Sequence, residues 1–321
     1  MQTNIVVDAR HAALNNDDSA KLRECTQMAV LAWTLAQQRH DVFFLPNNEW
    51  QKSNRQDWFA SHLSDSFQTT SHWSSHADLL ITSEHYSPEP ISANIKAVYK
   101  TTVGIDYDCH LLHNSDLLIA AEYNPIPEVD QHPCLFPMPF PVHDLVLQQL
   151  ASLGLLQQYL QNNLQPIRRM YRAETCNNIG FLGTGMYGRK AIGQRFSAIS
   201  PLPCDFHFYD GDSPFSAHDY LTRIGTYFAG LHISGDTPKA NRFCELVLLG
   251  IPVITVPVRV RCDPPITREN TILLRSWNDH DTLIDRLEHA ETIAENATRD
   301  YLSGWSPMGQ ARMLLTKLGI A

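Results

Sequence analysis

Apolar positions along the chain follow two periods, and the alternation between them predicts the elements. Short runs of β-branched or aromatic residues read as buried strands. In the first half these runs are Ile5–Val7, Val42–Pro46, Asp78–Thr82, Ala97–Ile105 and Ser115–Ala121. Between the first two, Met28, Leu31, Ala32 and Leu35 recur at three- and four-residue spacing, which predicts a helix within Asp17–Arg39. Strand, helix and strand within about 40 residues is a βαβ unit. Most of these runs end directly on polar residues, giving a mainly parallel sheet with polar tips. Asn47–His76 is polar, with a short helix expected near Asp57–Leu63.

The pattern breaks at 124–141, where six prolines fall within eighteen residues. Such a stretch continues neither a helix nor a central strand. Residues 143–172 are helical in pattern, interrupted at Gly154 and near Pro166. Alternation then resumes. Strands are expected at Ile179–Leu182, Phe206–Tyr209, Gly230–Ile233, Val253–Val256 and Asn270–Leu274. Helices are expected at Lys190–Ile199, Asp219–Tyr227, Asn241–Leu249, Asp279–Asn296 and Pro307–Leu318. The fold class is therefore α/β with two domains, 1–142 and 176–321, joined by a helical linker at 143–175.

Composition narrows the function classes. The chain has 321 residues and a net charge of −9, which argues against broad binding to nucleic acid. The seven cysteines are scattered, with no C-x-x-C pair, as expected of buried thiols in a reducing compartment. The amino terminus lacks the pattern of a signal peptide, and no run reaches the roughly 18 apolar residues of a membrane span. A cytoplasmic protein is expected, with peripheral attachment to a membrane left open. His62, His72 and His76 share no metal-ligand spacing, so no metal site is assigned. The neighbouring Trp58 and Trp73 offer rings on which a sugar face can stack.

Candidate chemistry gathers at two places in the second half. After the strand at Ile179, Gly183, Gly185 and Gly188 form a G-x-G-x-x-G loop, closed by Arg189. Asp210 lies about 20 positions further on, as the dinucleotide fingerprint requires. An NAD(P)-dependent oxidoreductase is thus one reading. The other place is 234–257 (SGDTPKANRFCELVLLGIPVITVP), a loop, a helix stopped by Gly250, and a buried strand. Lys239, Arg242 and Glu245 sit three apart at the helix start, where free N–H groups attract anions. Two cations and a carboxylate there suit a phosphorylated, hydroxyl-rich ligand. A solvated surface helix explains the same residues without any ligand.

This second stretch resembles the donor-binding segment of GT-B glycosyltransferases, including the exostosin-like and CgeB-like families. The matching residues are Gly235, Asp236, Pro238, Arg242, Phe243, Glu245, Gly250, Pro252, Val253 and Ile254. Phe181, Gly183, Thr184 and Arg189 are similar to the F-x-G-T-x-x-x-R of CgeB-like members, with one residue more before the arginine here. The resemblance implies two Rossmann-like domains facing each other across a cleft, the last helix crossing back to the first. It also implies transfer of a sugar from a nucleotide-diphosphate sugar to a hydroxyl of a glycan, lipid-linked saccharide or protein, without an obligatory metal or other cofactor. The donor-binding residues it implies are Gly183, Thr184, Gly185, Arg189, Asp236, Pro238, Lys239, Arg242 and Glu245. Arg189, Lys239 and Arg242 would face the diphosphate, and Glu245 the ribose or sugar hydroxyls. Many retaining relatives carry two glutamates eight positions apart, but Thr237 stands eight before Glu245 here. An inverting enzyme needs a base from the first domain; Glu84, Asp106 and Asp8, at strand tips, are the candidates in that order. A protein that binds nucleotide sugars without catalysis is the third reading.

Overall fold

The computed structural model describes residues 3–12, 18–60, 66–84, 91–100, 108–120, 126–138, 142–172, 174–186, 188–210, 214–234, 241–258 and 261–320. Two compact units emerge: Met1–Pro139 with Pro307–Ala321, and Phe140–Ser306. The elements are as follows in chain order. The first unit contains β1 (Asn4–Asp8), α1 (Asp18–Ala36), β2 (Asp41–Leu45), α2 (Asn48–Lys52), α3 (Arg55–Ala60) and β3 (Phe67–Thr69). It continues through β4 (Ala77–Ser83), β5 (Ala93–Lys100), α4 (Asp108–Asn114), β6 (Leu117–Ala120), α5 (Pro127–Asp130) and β7 (Leu135–Pro137). The second contains α6 (Asp144–Ser152), α7 (Leu156–Leu160), α8 (Gln165–Tyr171), β8 (Ile179–Thr184), α9 (Arg189–Ile199), β9 (Cys204–Tyr209) and α10 (Ala217–Gly225). It is completed by β10 (Ala229–Leu231), α11 (Asn241–Leu248), β11 (Val253–Thr255), β12 (Ile272–Leu273), α12 (His280–Leu287) and α13 (Ala290–Asp300). The last helix, α14 (Pro307–Lys317), belongs to the first unit and packs on α1.

The first sheet is seven-stranded, in the order β3-β2-β1-β4-β5-β6-β7, and every pairing is parallel. β1 lies inside the sheet between β2 and β4, and Ile5, Val6 and Val7 are wholly buried. From Cys25 to Ala36, α1 is buried on every face rather than along one stripe. Its two inner threonines satisfy their hydroxyls within the helix: Thr26 donates to the Leu22 carbonyl at 2.7 Å and Thr34 to that of Leu31 at 2.9 Å. Two short pieces fall where the sequence shows mainly polar residues. α2 is capped by Asn47, whose Oδ1 accepts from the Trp50 amide at 2.9 Å. β3 adds to the outer side of β2. The proline-rich stretch supplies β7, an edge strand whose last residue is Pro137, where a missing N–H is tolerated.

The second sheet has the order β12-β11-β10-β8-β9, again all parallel. Its core joins Ile179, Phe181, Phe196, Leu231, Ile254, Ile272, Leu283 and Ile293. The helical stretch 143–172 is three helices, and Pro166 starts α8 instead of breaking it, since a first-turn N–H has no helical partner anyway. Arg168 and Arg172 hold these helices to the second unit. Arg168 donates to the carbonyls of Leu248 at 2.9 Å and Val247 at 3.0 Å, at the end of α11. Arg172 donates to those of Gly225 at 3.2 Å and Tyr227 at 2.7 Å, beyond the end of α10. Cations suit these negative helix ends. The helix expected over 279–296 is divided into α12 and α13 by Glu288 and His289.

Candidate functional site

In an open parallel sheet, ligands bind beyond the carboxyl ends of the strands, where the strand order reverses. In the second unit that point lies between β8 and β10. β8 ends in Gly183 and Thr184 and runs through Gly185 into α9, while α11 begins after β10. Arg242, in the first turn of α11, projects to the end of β8. A Cβ placed on Gly183 would stand 2.4 Å from Nη1 of Arg242. Only a glycine leaves room for the guanidinium to lie across the strand there. The guanidinium carbon also sits 4.7 Å from the centre of the Phe181 ring and 6.0 Å from that of Tyr220.

Arg242 is held by its Nε, which donates to the Tyr220 hydroxyl at 3.4 Å. That hydroxyl donates in turn to Oε2 of Glu245 at 2.5 Å, and the His143 amide donates to Oε1 at 2.9 Å. Glu245 is only 3% exposed, so both carboxylate oxygens are engaged inside the fold rather than turned toward a sugar hydroxyl. Burial opposes the charge on Arg242, but the Tyr220 and Glu245 oxygens outweigh it and hold the guanidinium above its ordinary pKa. Burial first, then the Glu245 carboxylate, pushes the Tyr220 hydroxyl far up, so it remains a donor. Tyr220 was invisible to motif reading: it lies 22 residues from Arg242 on another helix, within no recognisable spacing.

The glycine loop behaves differently from its motif. Gly183 and Thr184 are still strand, paired with Phe208 and Tyr209 of β9. The Gly185 amide donates to the Tyr209 carbonyl at 2.9 Å, so it extends the sheet and is not open to a phosphate. Arg189 folds back, its Nη1 donating to Oγ1 of Thr184 at 2.6 Å. Asp210 is 81% exposed and pairs with Lys190 at 3.4 Å. Asp236, Pro238 and Lys239 lie outside the described residues.

The helix bearing Tyr220 is itself fixed to β9. Arg223 donates to Asp205 at 3.1 Å, and His207 meets the same carboxylate at 2.7 Å. Burial raises the Asp205 carboxyl, but the bonds from Arg223 and His207 prevail and hold it below its usual range. On the other flank, Phe243 of α11 lies edge-on between His232, at 5.5 Å, and Trp305, at 5.3 Å.

In the first unit the corresponding point lies between β1 and β4. Asp8 ends β1 and is 5% exposed; Arg10 grips it with Nε at 3.0 Å and Nη2 at 2.9 Å. Glu84 follows β4, is 8% exposed, and its amide donates to the Tyr99 carbonyl at 3.2 Å. The pairing of Ser83 with Tyr99 puts Glu84 beside Lys100, which is 2% exposed. Asp106 lies outside the described residues. Among the described residues no group of three or more histidines, cysteines or carboxylates is placed to share a metal. Also among them, no helix is long and apolar enough to cross a membrane. A cavity of about 520 Å³ in the second unit lies at the opposite, amino-terminal end of its sheet, beside Arg168, Arg172, Phe228 and Pro252.

No family model matches the sequence, and no curated protein does. Solved structures do match in fold. The chain is similar to AviGT4, a glycosyltransferase involved in avilamycin A biosynthesis, with 10% identity, a TM-score of 0.57, and coverage of 98% of this chain and 96% of that one. It is similar also to a glycosyltransferase from Rickettsia africae ESF-5, with 10% identity, a TM-score of 0.53, and coverage of 99% and 98%. The chain therefore has the two-sheet α/β fold of GT-B glycosyltransferases.

Proposed function

We propose that the protein is a glycosyltransferase that moves a sugar from a nucleotide-diphosphate sugar to a hydroxyl acceptor. The observation that carries this reading is the guanidinium of Arg242. It lies across Gly183 at the reversal point of the second sheet, with Nε fixed by Tyr220. Among the described residues the guanidinium hydrogen-bonds through Nε and not through its Nη groups. A half-buried, charged fork whose Nη donors meet no acceptor among the described residues suits the diphosphate of a donor. In transfer, the bond between the sugar's anomeric carbon and the diphosphate breaks, and the departing oxygen gains negative charge. Arg242 and Arg189 balance that charge, with Lys239, Asp236 and Pro238 assigned to the same site at the start of α11. The acceptor oxygen forms the new bond and yields its proton to a base, for which Glu84 is ranked first, then Asp106 and Asp8.

The strand order weighs against the oxidoreductase reading of the glycine loop. In the usual dinucleotide fold the third strand lies outside the second; here β10, third in the second unit, pairs with β8, the first. The acceptor is assigned to saccharide, lipid-linked saccharide or protein hydroxyls, and the site of action to the cytoplasm. The test is thermal-shift screening with UDP-, GDP-, CMP- and dTDP-sugars and NAD(P)H, followed by product identification with the stabilising donor. Stabilisation by one nucleotide sugar and release of its nucleotide on transfer are expected. Stabilisation by NAD(P)H alone refutes the reading, and binding without turnover over a panel of acceptors favours a non-catalytic binding protein.

A further inference from the structure

We infer that Tyr220 is a positioning residue of the diphosphate site, and that Glu245 serves it as an anchor rather than contacting the donor. This rests on the glycosyltransferase reading above. An arginine and a glutamate one turn apart on a helix, as Arg242 and Glu245 are, would ordinarily pair directly. A direct fork-to-fork pair would occupy the Nη donors that a diphosphate needs. Here a tyrosine hydroxyl stands between the two. It accepts from Nε of Arg242 at 3.4 Å and donates to Oε2 of Glu245 at 2.5 Å. The carboxylate supplies a countercharge at one remove, and among the described residues no acceptor occupies the Nη edge of the guanidinium. The second carboxylate oxygen is fixed by the His143 amide at 2.9 Å, the residue that caps α6, so the anchor cannot swing toward Arg242. The guanidinium is further confined by the Phe181 ring, 4.7 Å from its carbon, by the Tyr220 ring at 6.0 Å, and by the close approach to Gly183. Orientation is thus specified independently of any ligand. Arranging donors before the charge develops is what makes them effective at the transition state.

The arrangement makes a prediction that a merely structural tyrosine does not. Tyr220→Phe keeps the ring over the guanidinium and removes the hydroxyl alone. It should weaken binding of a nucleoside diphosphate about tenfold while leaving the nucleoside itself unaffected, because only the phosphates meet Arg242. UDP, GDP, CDP and dTDP, with uridine, guanosine, cytidine and thymidine, would be titrated by calorimetry into wild type, Tyr220→Phe, Glu245→Gln and Arg242→Lys. The expected result is one diphosphate bound by wild type, with a selective loss in Tyr220→Phe and a smaller selective loss in Glu245→Gln. With an assayable donor, kcat should fall more than KM rises. Unchanged diphosphate affinity in Tyr220→Phe, or equal losses for diphosphate and nucleoside, overturns the positioning role. Wild type binding none of the diphosphates overturns the transferase reading itself, and this inference with it. Should Tyr220→Phe lower the melting temperature below that of the titration, Glu245→Gln carries the same comparison.

Discussion

The two sheets share a layer plan and differ in strand order and in the charge at their reversal points. Numbered within each unit, the first runs 3-2-1-4-5-6-7 and the second 5-4-3-1-2. At the first reversal point stand two buried carboxylates, Asp8 and Glu84. At the second stands a guanidinium whose Nε donates to the Tyr220 hydroxyl and whose Nη groups meet no acceptor among the described residues. Parallel strands bring unlike residues to one crevice in both cases, so the fold supplies a place and the tip residues supply its chemistry. The first presents carboxylates and the second a cation. The contrast within the first is as informative. Asp8 is closed upon Arg10 in a two-pronged pair, which fits a fixed structural role and lowers its claim as a base.

The largest test of this contrast is Glu84→Gln beside Asp8→Asn. With an identified donor, and at a temperature where the variant is folded, Glu84→Gln should slow transfer about 10³-fold. Asp8→Asn should chiefly destabilise the fold, by roughly 2 kcal/mol, because it breaks the charged two-pronged pair with Arg10. The opposite pattern would transfer the base role to Asp8. Next, Arg242→Ala should cost about 10²-fold in kcat and abolish stabilisation by the diphosphate. Equal stabilisation of wild type and variant by the nucleotide sugar would remove Arg242 from the site.

A smaller and sharper effect is expected of Gly183→Ala. The added methyl meets the movable end of the Arg242 side chain, so the fold should lose less than about 1 kcal/mol. Displacing the fork should still weaken diphosphate binding about tenfold. A variant with intact affinity would show that the guanidinium need not lie across the strand. The smallest effect belongs to the first unit alone. His40 is 6% exposed, and burial lowers its pKa from the ordinary 6.5. The folded state therefore resists protonation that the unfolded chain accepts. Stability is fully present above about pH 6.5 and declines below it, by at most about 1.4 kcal/mol per pH unit. Urea unfolding at pH 7.5 and 5.5 should show this slope in wild type and a shallower one in His40→Asn.

Much of this was legible from periodicity. The buried β-branched runs at Ile5, Leu79, Ile179 and Val253 became strands because a strand covered on both faces needs no polar alternation. Gly250, with φ of 72°, stops α11 as its position after the helix predicts. Short edge pieces such as β3 and β7 were not legible, since their few residues are ordered by the neighbouring strand rather than by their own sequence. The helices of 143–172 looked like a linker because nothing local shows that Arg168 and Arg172 will find the carbonyl ends of α11 and α10.

The sequence by itself determined the α/β class, most of the strands and helices, and the residue types that could meet phosphate, since those depend on neighbours a few positions apart. Only the tertiary structure decided strand order, and with it which glycine faces which cation. Gly183 and Arg242 are 59 residues apart and meet because β8 and β10 are paired. The same distance law decided the role of Glu245. Its spacing on α11 presents it as a partner for Arg242 or a ligand, whereas Tyr220 and the His143 amide, from two other helices' surroundings, turn it inward. A side chain's direction is set by the donors that reach it, and these donors come from far along the chain.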